Sequence, residues 1–310
     1  MTVITMPVQP GQDTAGQPEP APWRGMLWVT WRQQRAALIS VAVLLGAAAI
    51  FLVVEGRQIH HDYSTLLACR GGGDAACQLV YNRFYGTDWY MGISCMAAMH
   101  AIPVLFAMFT GPAVLARELE TGTFRYAWTQ GIGRLRWAVA KLTLIAVALA
   151  AVTGVLGQLY DWFYDPLQTA KNTPWYTATI FDTHGIVFAA WTLTAFCIGA
   201  FLGMLLRRIL PAMAATFGVY GGLALLIGLD LRKDYPVALV TSNASLVAGA
   251  HLTPSSPWVL STGESGGTQW WRYIPVSRFW PMQFFEAGWL LILSALLIVG
   301  TLWLVRRHAA

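Results

Sequence analysis

The sequence predicts an all-α integral membrane protein with six transmembrane helices, an N-terminal interfacial amphipathic helix and long outer loops. Of its 310 residues, 56% are hydrophobic and 11% are charged, whereas a soluble domain carries about 25% charged residues. Apolar runs of about 18 residues or more recur along the chain, which is the length that a helix needs to cross a bilayer. The arginines gather at the ends of these runs, as orientation in a membrane requires.

Six apolar runs are the predicted spans. They cover residues 36–54, 92–115, 138–158, 184–206, 211–229 and 284–305. Pro103 and Pro112 lie inside the second span, where neighbouring helices can satisfy the freed carbonyl groups, and we expect them to kink that helix. Segment 235–252 is also apolar, but its Ser, Thr and Asn residues favour a re-entrant segment or one that lies on the outer surface.

Basic residues predict the orientation of the chain. Arginines precede the first span and follow the second, fourth and sixth spans, so that all of them face one side if there are six spans. Loop 159–183 on the opposite side has only Lys171 against three aspartates. The positive-inside rule then places both termini in the cytoplasm and the protein in the cell membrane. The net charge of +5 reflects this orientation, and no basic stripe indicates nucleic-acid binding.

The N-terminal region divides into a tail and a helix. Residues 1–20 lack the basic start and apolar core of a signal peptide, and their composition predicts a disordered cytoplasmic tail before a domain that covers 21–310. Segment 22–35 predicts an interfacial helix, because a step of 100° per residue gathers its arginines within an arc of roughly 80°. The residues that define this helix are Trp23, Arg24, Arg32 and Arg35.

Two long outer loops, 55–91 and 230–283, are rich in aromatic residues. This enrichment is typical of the aromatic belt at a membrane interface, and a ligand-binding role is the alternative. Cys69 and Cys77 flank a glycine-rich stretch of the first loop, which predicts a disulfide there, with two free thiols as the alternative.

The connection 116–137 between the second and third spans holds charges of both signs together with aromatic residues. The positive-inside rule explains its arginines but not its two glutamates or its aromatic cluster. We therefore expect a helix-turn element that docks on a partner, since Tyr, Trp and Arg are enriched at interface hot spots. The predicted docking residues are Arg117, Glu118, Glu120, Gly122, Thr123, Arg125, Tyr126, Trp128 and Gln130.

Several kinds of chemistry have no sequence support. There is no phosphate-binding GxxxxGK[ST] loop, and we predict that the chain is not an enzyme and has no catalytic residues. The His60, His61 and Asp62 group lacks a metal-ligand spacing, and a solvated loop is the preferred interpretation, with no metal site. No charged residue lies near the middle of a predicted span, which argues against a proton- or ion-coupled carrier.

The order of these features resembles a known family. An N-terminal helix, six spans and the pattern "RELETGTFR…TQ…R…K" between the second and third spans are similar to the type-2 export permeases of ABC transporters, particularly the short actinobacterial ones. The stretches "FDTHG", "RRILPAMAAT" and "SRFWPMQFFEAG" add to the resemblance, which covers nearly the whole chain after the tail. The loop positions that carry it are Glu118, Gly122, Thr123, Trp128, Thr129, Gln130 and Lys141.

The resemblance implies partners and a mechanism. A separate nucleotide-binding ATPase would bind ATP and Mg, while this chain would hold no cofactor and would pair with a second permease subunit, a homodimer being expected over a heterodimer. The connection 116–137 would act as the coupling helix of an alternating-access exporter, and loop 230–283 would form short outer or re-entrant helices. The second and fifth spans would line a cavity for a lipid, drug or hydrophobic peptide at Met99, His100, Phe106, Phe109, Phe217 and Tyr220.

A different class of function fits the same features. A membrane sensor or immunity protein that transports nothing would bind a ligand at its outer region and recruit a partner through its cytoplasmic loop. The sequence does not separate these alternatives or specify a substrate.

Overall fold

The computed structural model describes residues 23–69, 74–121, 134–243, 256–265 and 267–307. Within these ranges six helices are long and apolar enough to cross a membrane, which confirms the predicted all-α membrane fold. These candidate spans are Ala42–Ala68, Ala75–Arg117, Leu135–Lys171, Val187–Leu206, Ile209–Leu229 and Val276–Arg307.

The first helix, α1, runs from Trp23 to Ala68 without interruption. The sequence predicts a separate interfacial helix over 22–35, but α1 continues from that segment into the first span. The physical reason is local, because no Gly or Pro occurs between Gly25 and Gly46 to end the helix. That the first turns of α1 lie flat on the membrane stays a prediction.

The second span is one helical path built from several segments. It comprises α2 (Ala75–Arg83), a π-helical turn (Phe84–Asp88), α3 (Trp89–Leu105), a second π-helical turn (Phe106–Thr110) and α4 (Gly111–Thr121). Pro103 lies inside α3 and cannot donate a backbone hydrogen bond. The widened π-helical turn begins three residues later, where the helix adjusts its pitch instead of ending.

The remaining helices are α5 (Arg134–Lys171), α6 (Ala178–Phe181), α7 (Val187–Leu206), α8 (Ile209–Leu229) and α9 (Phe279–Arg307). The fourth span, α7, is the centre of the bundle. Of its apolar window 67% is buried within the chain, against at most 39% for any other candidate span. It contacts α4, α5, α8 and α9 along its length.

The prediction of an outer loop over 55–91 is wrong, because most of this segment is helical. Helix α1 continues to Ala68 and α2 begins at Ala75, while α5 extends to Lys171 in place of the predicted start of loop 159–183. Apolar side chains of these extensions bury one another, which keeps them helical beyond the predicted spans. The predicted disulfide is present, and Cys69 and Cys77 join the ends of α1 and α2 with their Cα atoms 5.6 Å apart.

In the described part of 230–283, the prediction of short outer or re-entrant helices is also wrong. The region begins with a 3₁₀ turn (Leu231–Asp234) and then forms an antiparallel sheet of β1 (Leu239–Thr241), β2 (Trp258–Ser265) and β3 (Thr268–Ile274), in the order β1-β3-β2. Aromatic and β-branched residues favour these strands, and Gly267 has the positive φ of 75° that a tight turn between β2 and β3 requires. Residues 244–255, which include half of segment 235–252, lie outside the described ranges.

Helices α4 and α7 approach each other through glycine. A Cβ atom added at Gly199 would lie 2.5 Å from the carbonyl oxygen of Ala107 and 2.8 Å from Cδ of Pro112. One added at Gly111 would lie 2.7 Å from Cα of Gly199. Small residues at such a contact let two backbones pack directly, which is a common way for helices to associate in a membrane.

We expect Gly199→Ala to destabilise the protein by about 1–3 kcal/mol, because the new methyl group meets backbone atoms that cannot turn away. Thermal unfolding of the purified protein in detergent measures this change. Gly218→Ala is the matched control, since nothing lies within 4 Å of its Cβ position. An unfolding temperature of Gly199→Ala at or above that of the wild type would contradict the direct backbone contact.

Candidate functional site

A cavity of about 310 Å³ lies between the second, fourth and fifth spans. Its wall combines residues of α3, α7 and α8 with the turn before α7. The lining residues are Met99, His100, Pro103, Val104, Asp182, Thr183, Phe188, Trp191, Phe217, Tyr220, Gly221, Ala224 and Leu225.

Four of the six residues predicted for the substrate cavity line it together, namely Met99, His100, Phe217 and Tyr220. The other two do not. Phe106 is buried in the core of the bundle, and Phe109 is exposed on the surface of the chain. The role of the four lining residues in substrate binding stays a prediction.

The wall of the cavity is mainly apolar and aromatic. The rings of Trp191 and Tyr220 meet edge to face with their centroids 5.6 Å apart. Phe217 and Leu225 are exposed on the surface of the chain, so the cavity is accessible from the side of the helix bundle. An apolar cavity with a few polar groups is the usual form of a small-molecule site.

One edge of the cavity is a buried ion network. The guanidinium of Arg232 donates to both carboxylate oxygens of Glu286, at 3.0 Å from Nε and 2.8 Å from Nη2. The same Nη2 also donates to the carboxylate of Asp182. Glu286 accepts two further hydrogen bonds, from Trp191 Nε1 at 3.0 Å and from the hydroxyl of Tyr235 at 3.1 Å.

Three distant chain segments supply this network. Asp182 follows α6, Arg232 lies in the 3₁₀ turn after α8, and Glu286 lies in the first part of α9. Sequence reasoning did not predict it, although the stretches "FDTHG" and "SRFWPMQFFEAG" each place a carboxylate beside apolar residues. A charged residue next to a long apolar run is the signal that could have indicated a buried partner.

Burial and charge act in opposite directions on these groups. Burial raises the pKa of Asp182, and the neighbouring Arg232 offsets only part of that effect. Burial alone would lower the pKa of Arg232, but the charges of Asp182 and Glu286 outweigh it and raise that pKa. Arg232 therefore remains a cation between two carboxylates.

The turn between α6 and α7 is held by buried polar contacts. Gly185 has a φ of 62°, and its backbone N–H donates to the carboxylate of Asp161 at 3.1 Å. Gln283 accepts from the backbone N–H of Val187 at 3.1 Å and donates to the carbonyl of Phe181 at 3.1 Å. These contacts fix the residues between Phe181 and Val187 at the edge of the cavity.

His184 is a buried, uncharged member of this turn. Its Nδ1 lies 2.7 Å from the carbonyl oxygen of Ile180, which can only accept, so Nδ1 carries the proton. Its Nε2 lies 3.7 Å from the carboxylate of Asp161. Burial lowers the pKa of His184 to about 4.

The predicted docking residues lie at the opposite end of the second span from the network. Arg117 and Glu120 are exposed on α4, and the carboxylate of Glu120 accepts from the backbone N–H of Ile209 at 3.4 Å. The backbone of Glu118 is helical. The other predicted docking positions, Gly122, Thr123, Arg125, Tyr126, Trp128 and Gln130, lie outside the described residues.

The other predicted positions lie apart from the cavity. Arg35 is exposed on α1, and Trp23, Arg24 and Arg32 belong to the same helix. Lys141, which opens the third span, is fully buried with Nζ 4.9 Å from the ring centroid of Trp137. The lining of the cavity was therefore predicted only in part, since sequence reasoning did not single out α7 and the turn before it.

His60 and Asp62 of the first predicted loop are used in packing. His60 stacks on Trp162 with ring centroids 4.8 Å apart, and Asp62 pairs with Nε of Arg83 at 3.0 Å. Among the residues that the structure describes, no group of three or more His, Cys, Asp or Glu side chains is placed to hold a metal ion.

A comparison with protein families decides the class of this molecule. The family described as ABC-2 membrane transporter related matches residues 42–232, which is more than half of the chain. The chain belongs to the ABC-2 membrane transporter related family. Comparisons with curated proteins and with solved structures gave no significant match.

Family membership confirms the resemblance to an ABC-type permease. The matched residues include the first five candidate spans, the connection 116–137 that is predicted to dock on a partner, and the whole lining of the cavity. The ABC-2 related chain is therefore a transmembrane component, and it is not the catalytic component of a transporter.

In this ABC-2 related protein we expect Glu286→Ala to lower the free energy of unfolding by about 3–5 kcal/mol, because the guanidinium of Arg232 loses its buried bidentate partner. Lys233→Ala is the control, since its exposed pair with Asp230 contributes about 1 kcal/mol or less. Thermal unfolding of both variants in the same detergent measures the difference. Equal effects of the two substitutions would contradict the buried network.

The pKa of His184 predicts a pH dependence of stability. Its folded value of about 4 lies below its ordinary value of 6.5, so the unfolded chain binds more protons between these limits. The stabilising contribution of uncharged His184 is therefore complete above the ordinary value and declines as the pH falls, by about 3 kcal/mol in all.

We expect His184→Gln to flatten this acid-side slope in pH-dependent thermal unfolding, because glutamine does not titrate. The exposed residue His61 provides the control, and His61→Gln should retain the slope of the wild type. An unchanged slope in His184→Gln is the outcome that would overturn the prediction.

Proposed function

We propose that this chain is the membrane-spanning permease subunit of an ABC exporter for a hydrophobic or amphipathic substrate. A separate ATPase subunit binds ATP and Mg and supplies the energy, and two permease subunits form the membrane unit. Family membership and the largely apolar cavity support this proposal.

The observation that carries the proposal is that one helical path bears both a wall of the cavity and, on α4, the charged residues of the predicted docking connection. We call this part of α4 the charged end. Met99, His100 and Pro103 line the cavity, and the same path continues through α4 to Thr121. The rise of about 1.5 Å per residue places Glu118 roughly 28 Å from Met99. A force applied to the charged end by a docked ATPase therefore reaches the cavity along a single element.

The charged end also contacts the helix that supplies the opposite wall of the cavity. Glu120 accepts a hydrogen bond from the first residue of α8, Ile209, and a carboxylate is favourable at the N-terminal end of a helix. Helix α8 supplies Phe217 and Tyr220 to the cavity. Movement of α4 thus acts on both helices that flank the cavity. This arrangement suits alternating access, in which closure of the ATPase dimer on ATP opens and closes the substrate path.

The basic residues support a cytoplasmic position for the charged end. Arg207 and Arg208 between α7 and α8, and Arg306 and Arg307 at the end of α9, are exposed at the same end of the bundle as Arg117. By the positive-inside rule this end faces the cytoplasm, where the ATPase and its nucleotide are available.

We expect a P-loop ATPase to co-purify with the chain from the native host in about equal proportion, as a stable complex requires. Glu118→Arg and Glu120→Arg should each weaken this association and transport by about tenfold or more, because they reverse a charge on the docking face. Glu264→Arg makes the same change on the exposed sheet at the opposite end and should leave the complex intact.

Purification without any ATPase would contradict the exporter assignment and favour a sensor or immunity function. Retention of the ATPase by both variants on α4 would contradict the position of the docking face alone. Thermal unfolding of each variant establishes that a loss of the partner does not follow from a loss of fold.

A further inference from the structure

The ion network contains more carboxyl groups than cationic groups. It contains one guanidinium, that of Arg232, and two carboxylates, those of Asp182 and Glu286. Glu286 accepts from two nitrogens of Arg232 and also from Trp191 and Tyr235. Asp182 shares a single nitrogen that already bonds to Glu286.

The two carboxylates differ in their access to the cavity. The side chain of Glu286 is 0% exposed, whereas that of Asp182 is 25% exposed and lines the cavity. The carboxyl group with fewer hydrogen bonds therefore lies on the side chain that a ligand can reach. Burial of a carboxylate without a full partner is unfavourable, so a positive group beside Asp182 would be stabilised.

The rest of the wall is suited to the same kind of ligand. The lining contains no lysine or arginine, and its titratable members besides Asp182 are His100 and Tyr220. The aromatic side chains of Trp191, Phe217 and Tyr220 line the same cavity as the carboxylate. Ring faces attract cations, most strongly where water is excluded.

We infer that the cavity binds a cationic amphiphile, with its ammonium group beside Asp182 and its apolar part against the aromatic and aliphatic residues of α8. This inference rests on the proposed function in one respect, because it treats the bound cation as the exported substrate. Binding itself needs neither ATP nor a partner subunit. The role of Arg232 is then to position Asp182, while Glu286 holds Arg232 in place.

An anionic or neutral ligand fits less well. An anion would approach the carboxylate of Asp182 directly, and like charges at close range repel. A neutral apolar ligand would displace water from Asp182 without replacing its hydrogen bonds. A single positive charge balances the network of one guanidinium and two carboxylates.

The test compares two compounds of the same shape. Benzyltrimethylammonium carries a permanent positive charge, and neopentylbenzene is its uncharged carbon isostere. Equilibrium dialysis of the full chain in an uncharged detergent, with protein-free micelles as the reference, measures the binding of each. We expect the cation to bind about tenfold or more tightly than the isostere.

Two substitutions locate the binding. Asp182→Asn removes the charge with little change of shape and should abolish the preference for the cation. Asp230→Asn is the matched control, because that carboxylate is exposed, pairs with Lys233 and does not line the cavity. It should bind both compounds as the wild type does.

A third substitution keeps the test decisive if Asp182→Asn does not fold. Gly221 lines the cavity, and nothing lies within 4 Å of its Cβ position, so Gly221→Phe reduces the space while it leaves the residues of the ion network unchanged. This variant should bind neither compound above the micelle reference. Retained cation binding by Gly221→Phe would overturn the inference.

Equal binding of the two compounds to the wild type would also overturn it, as would an unchanged preference in Asp182→Asn or an equal loss in Asp230→Asn. These outcomes are separate from those that test the exporter. If an ATPase co-purifies with the chain and the chain shows no preference for the cation over its isostere, only the inference of a cationic ligand is refuted. Cation binding by a chain without any ATPase would refute only the exporter.

Discussion

A guanidinium buried in an apolar helix bundle requires carboxylate partners, and Arg232 brings three separate parts of the chain together for this reason. Asp182 fixes the turn before α7, Arg232 fixes the end of α8, and Glu286 fixes the start of α9. Trp191 and Tyr235 complete the hydrogen bonds of Glu286 and so connect α7 and the start of the sheet region to the same point. The fourth, fifth and sixth spans thus share one polar anchor at one end of the bundle.

The six spans were predictable because lipid requires continuous apolar helices, and this requirement is visible in single segments of sequence. The disulfide was predictable for a similar reason, since Cys69 and Cys77 are close in the chain. Four cavity residues were predicted through their positions on the second and fifth spans in a resembling family. Their neighbours Asp182 and Trp191 were not, because their placement depends on contacts with Arg232 and Glu286 that are far away in sequence.

The extensions beyond the spans show where local reasoning fails. Segment 55–91 has the polar and aromatic composition of a loop, yet Ile59 and Phe84 are buried against other helices and keep it helical. In 230–283 the strands β2 and β3 pair through a turn at Gly267, and the stacking of Tyr176 on Trp258 connects that sheet to the segment before α6. Tertiary packing therefore decides the structure at this end of the bundle, whereas hydropathy decides it within the spans.

The glycine contact between the second span and α7 has a mechanical consequence. Ala107, Gly111 and Pro112 meet Gly199 so closely that this region cannot separate without losing its packing. Gly111 lies about 10 Å along the helix from Glu118 and about 18 Å from Met99, from the rise per residue. If the second span tilts as the proposed function requires, its close contact with Gly199 would be the fulcrum. The longer arm would then lead to the cavity and the shorter arm to the charged end.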